Sequence, residues 1–535
     1  MRNHLFTFIN EKHDGITKHH LEKALDSMNG SNNRVIKKDY ATLHTSKVKK
    51  ISMSMLAVLC IISLTVLSLF MFNFQEKQVK HNIQTENEVQ VVAQTKKVDS
   101  LRKNNKTSFI IQDGSHANYQ LFLKMLNETN FLVEANIEVE NRSKSNWMDL
   151  QFYFIPNMFD AAKIKEIKVN GEKMKYDLYE DSLRITLNKA LQIGKKMNVN
   201  VSYTLSPPKD ELRLFRSDKS IALAEWYPML CIYLNGWQKD PYYPGMESFF
   251  TGYSDFAVQY ELLEGYTLTS SAEEDAPVNS QKGSIEAKNI KEFYISLTKD
   301  SVIKTKKVNQ TEIRVIGSKQ NEKNMNTILN TASDAFEFFD SRIGKYPYKQ
   351  LDIEYGNGYN IEYPGIVTVM DEGEIESQIH PTIHEVAHQW FYGLVSNDTY
   401  NDGWLDEGLT EFSTDLFLLV HEKKTLDESF SWVNWLYNER DPYPSNQPLD
   451  DFKENGGTAA YLYAQPVIKL WEVMGKVDPS GNEALKFLSD YFHTYSYQIV
   501  NTEEFIRFMR LHYEVDDKYF EEWLNFTPEY IYWNL

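Results

Sequence analysis

Short runs in which apolar and polar residues alternate dominate the chain from about residue 108 to 300. FLVEANIEVEN, SLRITLN, MNVNVSYTL and FAVQYELL each send side chains to two faces in turn, the period of a half-buried strand. Turn signals such as VNGEK and SPPKD separate them, so residues 108–300 predict a β-rich domain, a sandwich or saddle. After about 301 the period changes. TEIRVIG, LDIEYG and GIVTVM read as strands, with a helical pattern from Asn321 to Ile343 between the first two. From His380 onward helical spacing prevails, over Thr382 to Leu394, Gly408 to His421, Ala459 to Met474 and Glu503 to Tyr513. The expected fold class is α+β, with a mixed domain over 301–535 that is mainly helical toward its C-terminal end. No repeat of fixed period is present.

The N-terminal part follows another rule. Ile51 to Phe74 reads ISMSMLAVLCIISLTVLSLFMFNF, 24 residues without charge, Gly or Pro. At about 1.5 Å per residue that run crosses a hydrocarbon core of about 30 Å, and it predicts one transmembrane helix in contact with membrane lipid. Fifty residues precede it, and Phe70-Met71-Phe72 offers no small-residue cleavage site, which argues against a cleaved secretory signal. Residues 75–107 are polar and read as a stalk.

Charge assigns the sides. Residues 1–50 carry ten Lys or Arg against five Asp or Glu, whereas the whole chain has a formal net charge of −18. Lys47, Lys49 and Lys50 abut the apolar run, so the basic tail is expected to stay cytoplasmic and the carboxyl part to lie outside, at the cell membrane. LEKALDSM in that tail has the spacing of one short amphipathic helix, which leaves a role for an unidentified cytoplasmic partner. An acidic body argues against nucleic acid as a partner. Two cysteines, one of them within the apolar run, make no disulfide framework.

The chemistry concentrates in His384-Glu385-Val386-Ala387-His388. Residues four apart share a helix face, so two neutral imidazoles can grip one Zn²⁺ while Glu385, one step round, reaches a water as its base. Nineteen residues after His388, in WLDEGLTEF, Glu407 can supply a third ligand from a second helix, leaving a fourth position open. Glu411, one turn further, is placed to orient a ligating histidine. Three ligands with one open position predict one catalytic Zn²⁺ per chain.

HEVAH, eighteen intervening residues and then Glu407 within WLDEG resemble the gluzincin metallopeptidases of the aminopeptidase N family. YPGME, SDFAV and IGKYPY extend the likeness over about 108–535. The resemblance implies a saddle followed by a thermolysin-like domain, and removal of N-terminal residues from peptides. It also implies that Glu362, in NIEYPG, takes the place of the family's glutamate that holds the substrate ammonium, although Asn360, Ile361 and Tyr363 depart from the Gly-Ala-Met-Glu-Asn pattern. The family's transition-state tyrosine matches Tyr461 first and Tyr463 as the alternative, with the usual Lys and Gly missing. Two rival readings stand beside this one: a zinc endopeptidase, which needs no ammonium anchor, and a catalytically silent membrane sensor or scaffold, which needs no Glu385.

Overall fold

Alternation in FLVEANIEVEN becomes the strand Asn130–Asn141, which buries Phe131, Val133, Ala135, Ile137 and Val139 on one face. It lies between Ser115–Asn127 and Lys196–Leu205, antiparallel to both. These belong to a seven-stranded sheet in which Ser254–Glu261 runs parallel to Ser115–Asn127. The VNGEK signal is a two-residue hairpin turn, with Asn170 at φ 49° and Gly171 at φ 84°, the left-handed pair such a turn requires. Two four-stranded sheets, one containing Trp147–Tyr153 and the other Ser220–Leu223, pack with it around Leu123, Phe152, Val201, Leu223 and Leu297.

The computed structural model describes residues 109–527, apart from 210, 274–280, 357, 438–442 and 453–456. The expected basic tail, apolar helix at 51–74 and stalk lie outside the described residues. Among the described residues no helix is long and apolar enough to cross a membrane.

A mixed sheet follows, formed by β1 (Ser301–Val308), β2 (Thr311–Ser318), β3 (Gln350–Tyr355), β4 (Ile361–Tyr363) and β5 (Ile366–Val369), in the order β1-β2-β3-β5-β4. β2, β3 and β5 are parallel, and the crossover between β2 and β3 is α1 (Glu322–Arg342), which buries Ile328, Phe336 and Phe339. β4 returns antiparallel to β5 through a Pro364-Gly365 turn, where Gly365 adopts φ 79°.

Helices complete this half: α2 (Ile375–Ala387), α3 (Trp404–Leu416), α4 (Gln465–Val477), α5 (Asn482–Tyr495) and α6 (Thr502–His512). Their inner faces share a second core with α1, including Phe336, Val386, Leu409, Leu470, Leu488 and Phe505. Two boundaries differ from the sequence expectation. α2 starts at Ile375 instead of Thr382 and carries Pro381 in its interior, a residue that removes one backbone donor without ending this helix. It ends at Ala387 instead of Leu394, because the chain turns back, with Gly393 N–H donating to His388 C=O at 3.0 Å and Tyr392 at φ 127°.

Candidate active site

α2 and α3 lie side by side, and the four-residue spacing of their polar residues makes two facing columns. His384 Nε2 and His388 Nε2 stand 3.0 Å apart, and each is 3.2 Å from Glu407 Oε2. The other ring nitrogens are engaged elsewhere: His384 Nδ1 contacts Glu411 Oε2 at 2.8 Å, and His388 Nδ1 faces the Phe391 carbonyl at 3.1 Å. A carbonyl can only accept, so His388 donates from Nδ1, and the Glu411 carboxylate asks the same of His384. Neutral rings then aim two bare lone pairs, with a carboxylate oxygen, at one point. Three acceptors without a proton among them need a cation, and separations of 3.0–3.2 Å suit donors gathered round a single Zn²⁺.

Electrostatics agree with that demand for positive charge. Burial works against the Glu407 carboxylate, yet the facing His384 and His388 rings, when protonated, hold it well below the usual carboxylate range. Burial likewise disfavours a charged His388, but Glu362 and Glu407 outweigh it and bring the ring to about 9. A divalent cation at the same point satisfies these carboxylates without protonating the rings.

Glu385 is buried beside the triad, and its Oε2 has no hydrogen-bond partner. Burial pushes its carboxyl up to about 8, against the opposing pull of His384 and His388. Glu362, central in β4, is also buried with Oε1 unpartnered, and one ligand atom each of Glu362, Glu385 and His388 lies within 4.8 Å of the others. Gln389, next to His388, fixes this approach: its Nε2 donates to Tyr363 C=O at 3.0 Å and its Oε1 accepts from Gly365 N–H at 2.9 Å. From the β-rich half, Tyr294 stacks on Tyr363 with ring centroids 4.2 Å apart. The strand bearing Glu362 is therefore held on both sides.

The structure separates the two tyrosines. Tyr463 donates its hydroxyl to Glu407 Oε1 at 2.5 Å and stacks on the His384 ring at 5.6 Å. Tyr461, the first sequence candidate, is not brought to the cluster; its ring packs between Tyr443 and Phe452. Residues two apart on a helix point to nearly opposite sides, so only one of the pair can face α3. Both lie in a π-helical turn, Ala460–Ala464, that rotates Tyr463 inward. Gly408 permits the approach, since a Cβ there would stand 2.7 Å from Pro466 Cβ and 3.1 Å from Leu462 C=O.

Sequence reasoning missed a wall of buried charge on the β-rich side. Arg213 pairs with Glu225 at 3.5 Å and with Glu247, and its guanidinium lies 5.8 Å from the Tyr363 ring. Lys291 Nζ sits 3.9 Å from the Tyr392 ring, whose hydroxyl donates to Glu292. These residues are spread from 213 to 392 and carry no local motif. Trp390 and Trp404 are core residues, packed against Phe336 and Phe505.

The helix that carries HEVAH and the helices after it fall in one recognisable region. Residues 367–523 match the Peptidase family M1 domain. Aminopeptidase N of Streptomyces lividans is 25% identical over 167 residues, which cover 26% of this chain and 19% of that protein. Leukotriene A-4 hydrolase of Xenopus laevis is 23% identical over 378 residues, covering 65% of this chain and 60% of that one. The chain thus spans less than two thirds of either relative. In fold it is similar to the crystal structure of an M1 zinc metallopeptidase from Deinococcus radiodurans, at TM-score 0.57 and 14% identity over 78% of this chain and 96% of that one.

Proposed function

We propose that the chain is a zinc aminopeptidase of the M1 kind that removes N-terminal residues from peptides outside the cytoplasm. Residues 51–74 would anchor it in the membrane lipid with residues 1–50 cytoplasmic. The M1 match and the aminopeptidase relatives support the zinc metallopeptidase reading. The observation that carries the finer reading is the convergence of His384, His388 and Glu407 on one point beside two buried carboxylates, Glu385 and Glu362, each with one oxygen unpartnered.

His384, His388 and Glu407 would hold the Zn²⁺, with Glu411 fixing the His384 ring through Nδ1. When bound, the ion supplies Lewis acidity, polarising the scissile carbonyl and acidifying water. Glu385 takes the proton of the attacking water and hands it to the leaving amine. Tyr463 turns its hydroxyl from Glu407 to the developing oxyanion. Glu362 pairs with the substrate ammonium and sets the scissile bond one residue from the chain end.

Replacing Glu385 by Gln tests the assignment. The amide cannot serve as base, and Glu385 is not one of the three converging ligands. The variant is expected to keep about one tightly held zinc per chain and to lose turnover of aminoacyl reporters by roughly 10²–10⁴-fold. Metal analysis and kcat on the purified full chain give both readings. Normal turnover would remove Glu385 from the mechanism.

A further inference from the structure

The columns on α2 and α3 extend one turn beyond the catalytic cluster. His380 precedes His384 by four residues and Asp415 follows Glu411 by four, so the trios His380, His384, His388 and Glu407, Glu411, Asp415 face each other in register. His384 and His388 meet Glu407, and His384 also meets Glu411. His380 continues the series, with Nε2 at 3.1 Å from Glu411 Oε1 and 4.0 Å from Asp415 Oδ1.

This second group is a candidate ligand set in its own right. One ligand atom from each of His380, Glu411 and Asp415 lies within 4.8 Å of the others. Both Asp415 oxygens are buried and make no hydrogen bond, and His380 Nε2 and Glu411 Oε1 have only their mutual 3.1 Å contact, while Glu411 commits its other oxygen, Oε2, to His384. A fully buried carboxylate left with neither hydrogen bond is costly unless a cation meets it. Donors about 2.0–2.2 Å from a tetrahedral Zn²⁺ stand roughly 3.3–3.6 Å apart, and 3.1 and 4.0 Å bracket that spacing.

We propose that His380, Glu411 and Asp415 form a second divalent-cation site, distinct from the catalytic triad and one helical turn from it. An imidazole nitrogen among the donors favours Zn²⁺ over Mg²⁺ or Ca²⁺. The His380 side chain, 32% exposed and lying against the Trp432 ring at 5.8 Å, provides the path from solvent. With one imidazole and a 4.0 Å opening, this site binds less tightly than the catalytic triangle. Its occupant fixes Glu411 in the position from which that residue orients His384.

Equilibrium dialysis of the metal-stripped, purified full chain against Zn²⁺ alone, followed by metal analysis, tests the proposal. The unmodified chain should take up two equivalents, one tight and one weaker. His380→Ala and Asp415→Asn should each take up one, losing the weaker. His388→Ala should lose the tight equivalent and keep the weaker, which separates this site from the catalytic reading. His380 is partly exposed, so its variant gives the decision should Asp415→Asn fail to fold. A single equivalent in the unmodified chain, as an imidazolium in place of the cation would give, overturns the proposal. So does a second equivalent that survives His380→Ala.

Discussion

At the scale of single residues, the two tyrosines give the sharpest contrast. Tyr463 reaches Glu407 and stacks on His384, whereas Tyr461 stays among aromatic rings. A hydroxyl that meets an oxyanion is worth about 2.7–4 kcal/mol of barrier, so Tyr463→Phe should lower kcat about 10²–10³-fold with KM little changed. Tyr461→Phe keeps the packed ring and should leave kcat nearly as it was. Steady-state kinetics on one aminoacyl reporter compares them, and the reverse ranking would return the role to Tyr461. From the sequence the choice was not legible, because it depends on the rotation of a π-helical turn, which spacing alone does not fix. HEVAH and Glu407 were legible because a shared helix face follows directly from four-residue spacing. The same spacing marks His380 and Asp415, a signal present in the sequence and visible once the two helices are paired.

At the scale of elements, strands of the β-rich half such as Asn130–Asn141 and Lys196–Leu205 were readable because they bury only one face. The start of α2 was hidden because Pro381 usually marks a boundary and here lies inside. The charge wall of Arg213, Glu225, Lys291 and Glu292 was hidden for another reason, since only the folded chain brings those segments to β4. At Gly408, α3 passes close to Leu462 in the turn and to Pro466 in the first turn of α4, which yields a prediction. Ala in a helix normally gains about 1 kcal/mol over Gly, but here its Cβ meets the rigid Pro466 ring at 2.7 Å, and overpacking costs about 1–3 kcal/mol. Gly408→Ala should therefore lower stability in urea unfolding and, by shifting the turn that carries Tyr463, lower kcat as well. A more stable variant would show that the close approach does not constrain α3.

At the scale of the whole molecule, two issues remain joined: where the catalytic half sits and how it meets a peptide. The lysines before the 24-residue apolar run predict a cytoplasmic N-terminus. Protease added to intact cells should then cut residues after Phe74 and spare those before Lys50. Protection of the later residues would reverse the orientation, and a mature chain starting near Gln75 would show that the run is cleaved.

The central claim, exopeptidase action, rests on Glu362, buried in the edge strand β4 with Oε1 unpartnered, beside His388 and Glu385. A peptide ammonium paired with that carboxylate is worth roughly 1.5–3 kcal/mol, which also fixes the register of the scissile bond. The direct test compares one peptide with a free and with an acetylated amino terminus on the purified full chain, locating cuts by mass spectrometry, beside Glu362→Ala. The account predicts release of the first residue from the free peptide, little cleavage of the acetylated one, and a fall of about ten to a few hundred fold in kcat/KM for Glu362→Ala. Equal cleavage of both peptides, or cuts mainly at internal bonds, would contradict it and leave a zinc endopeptidase.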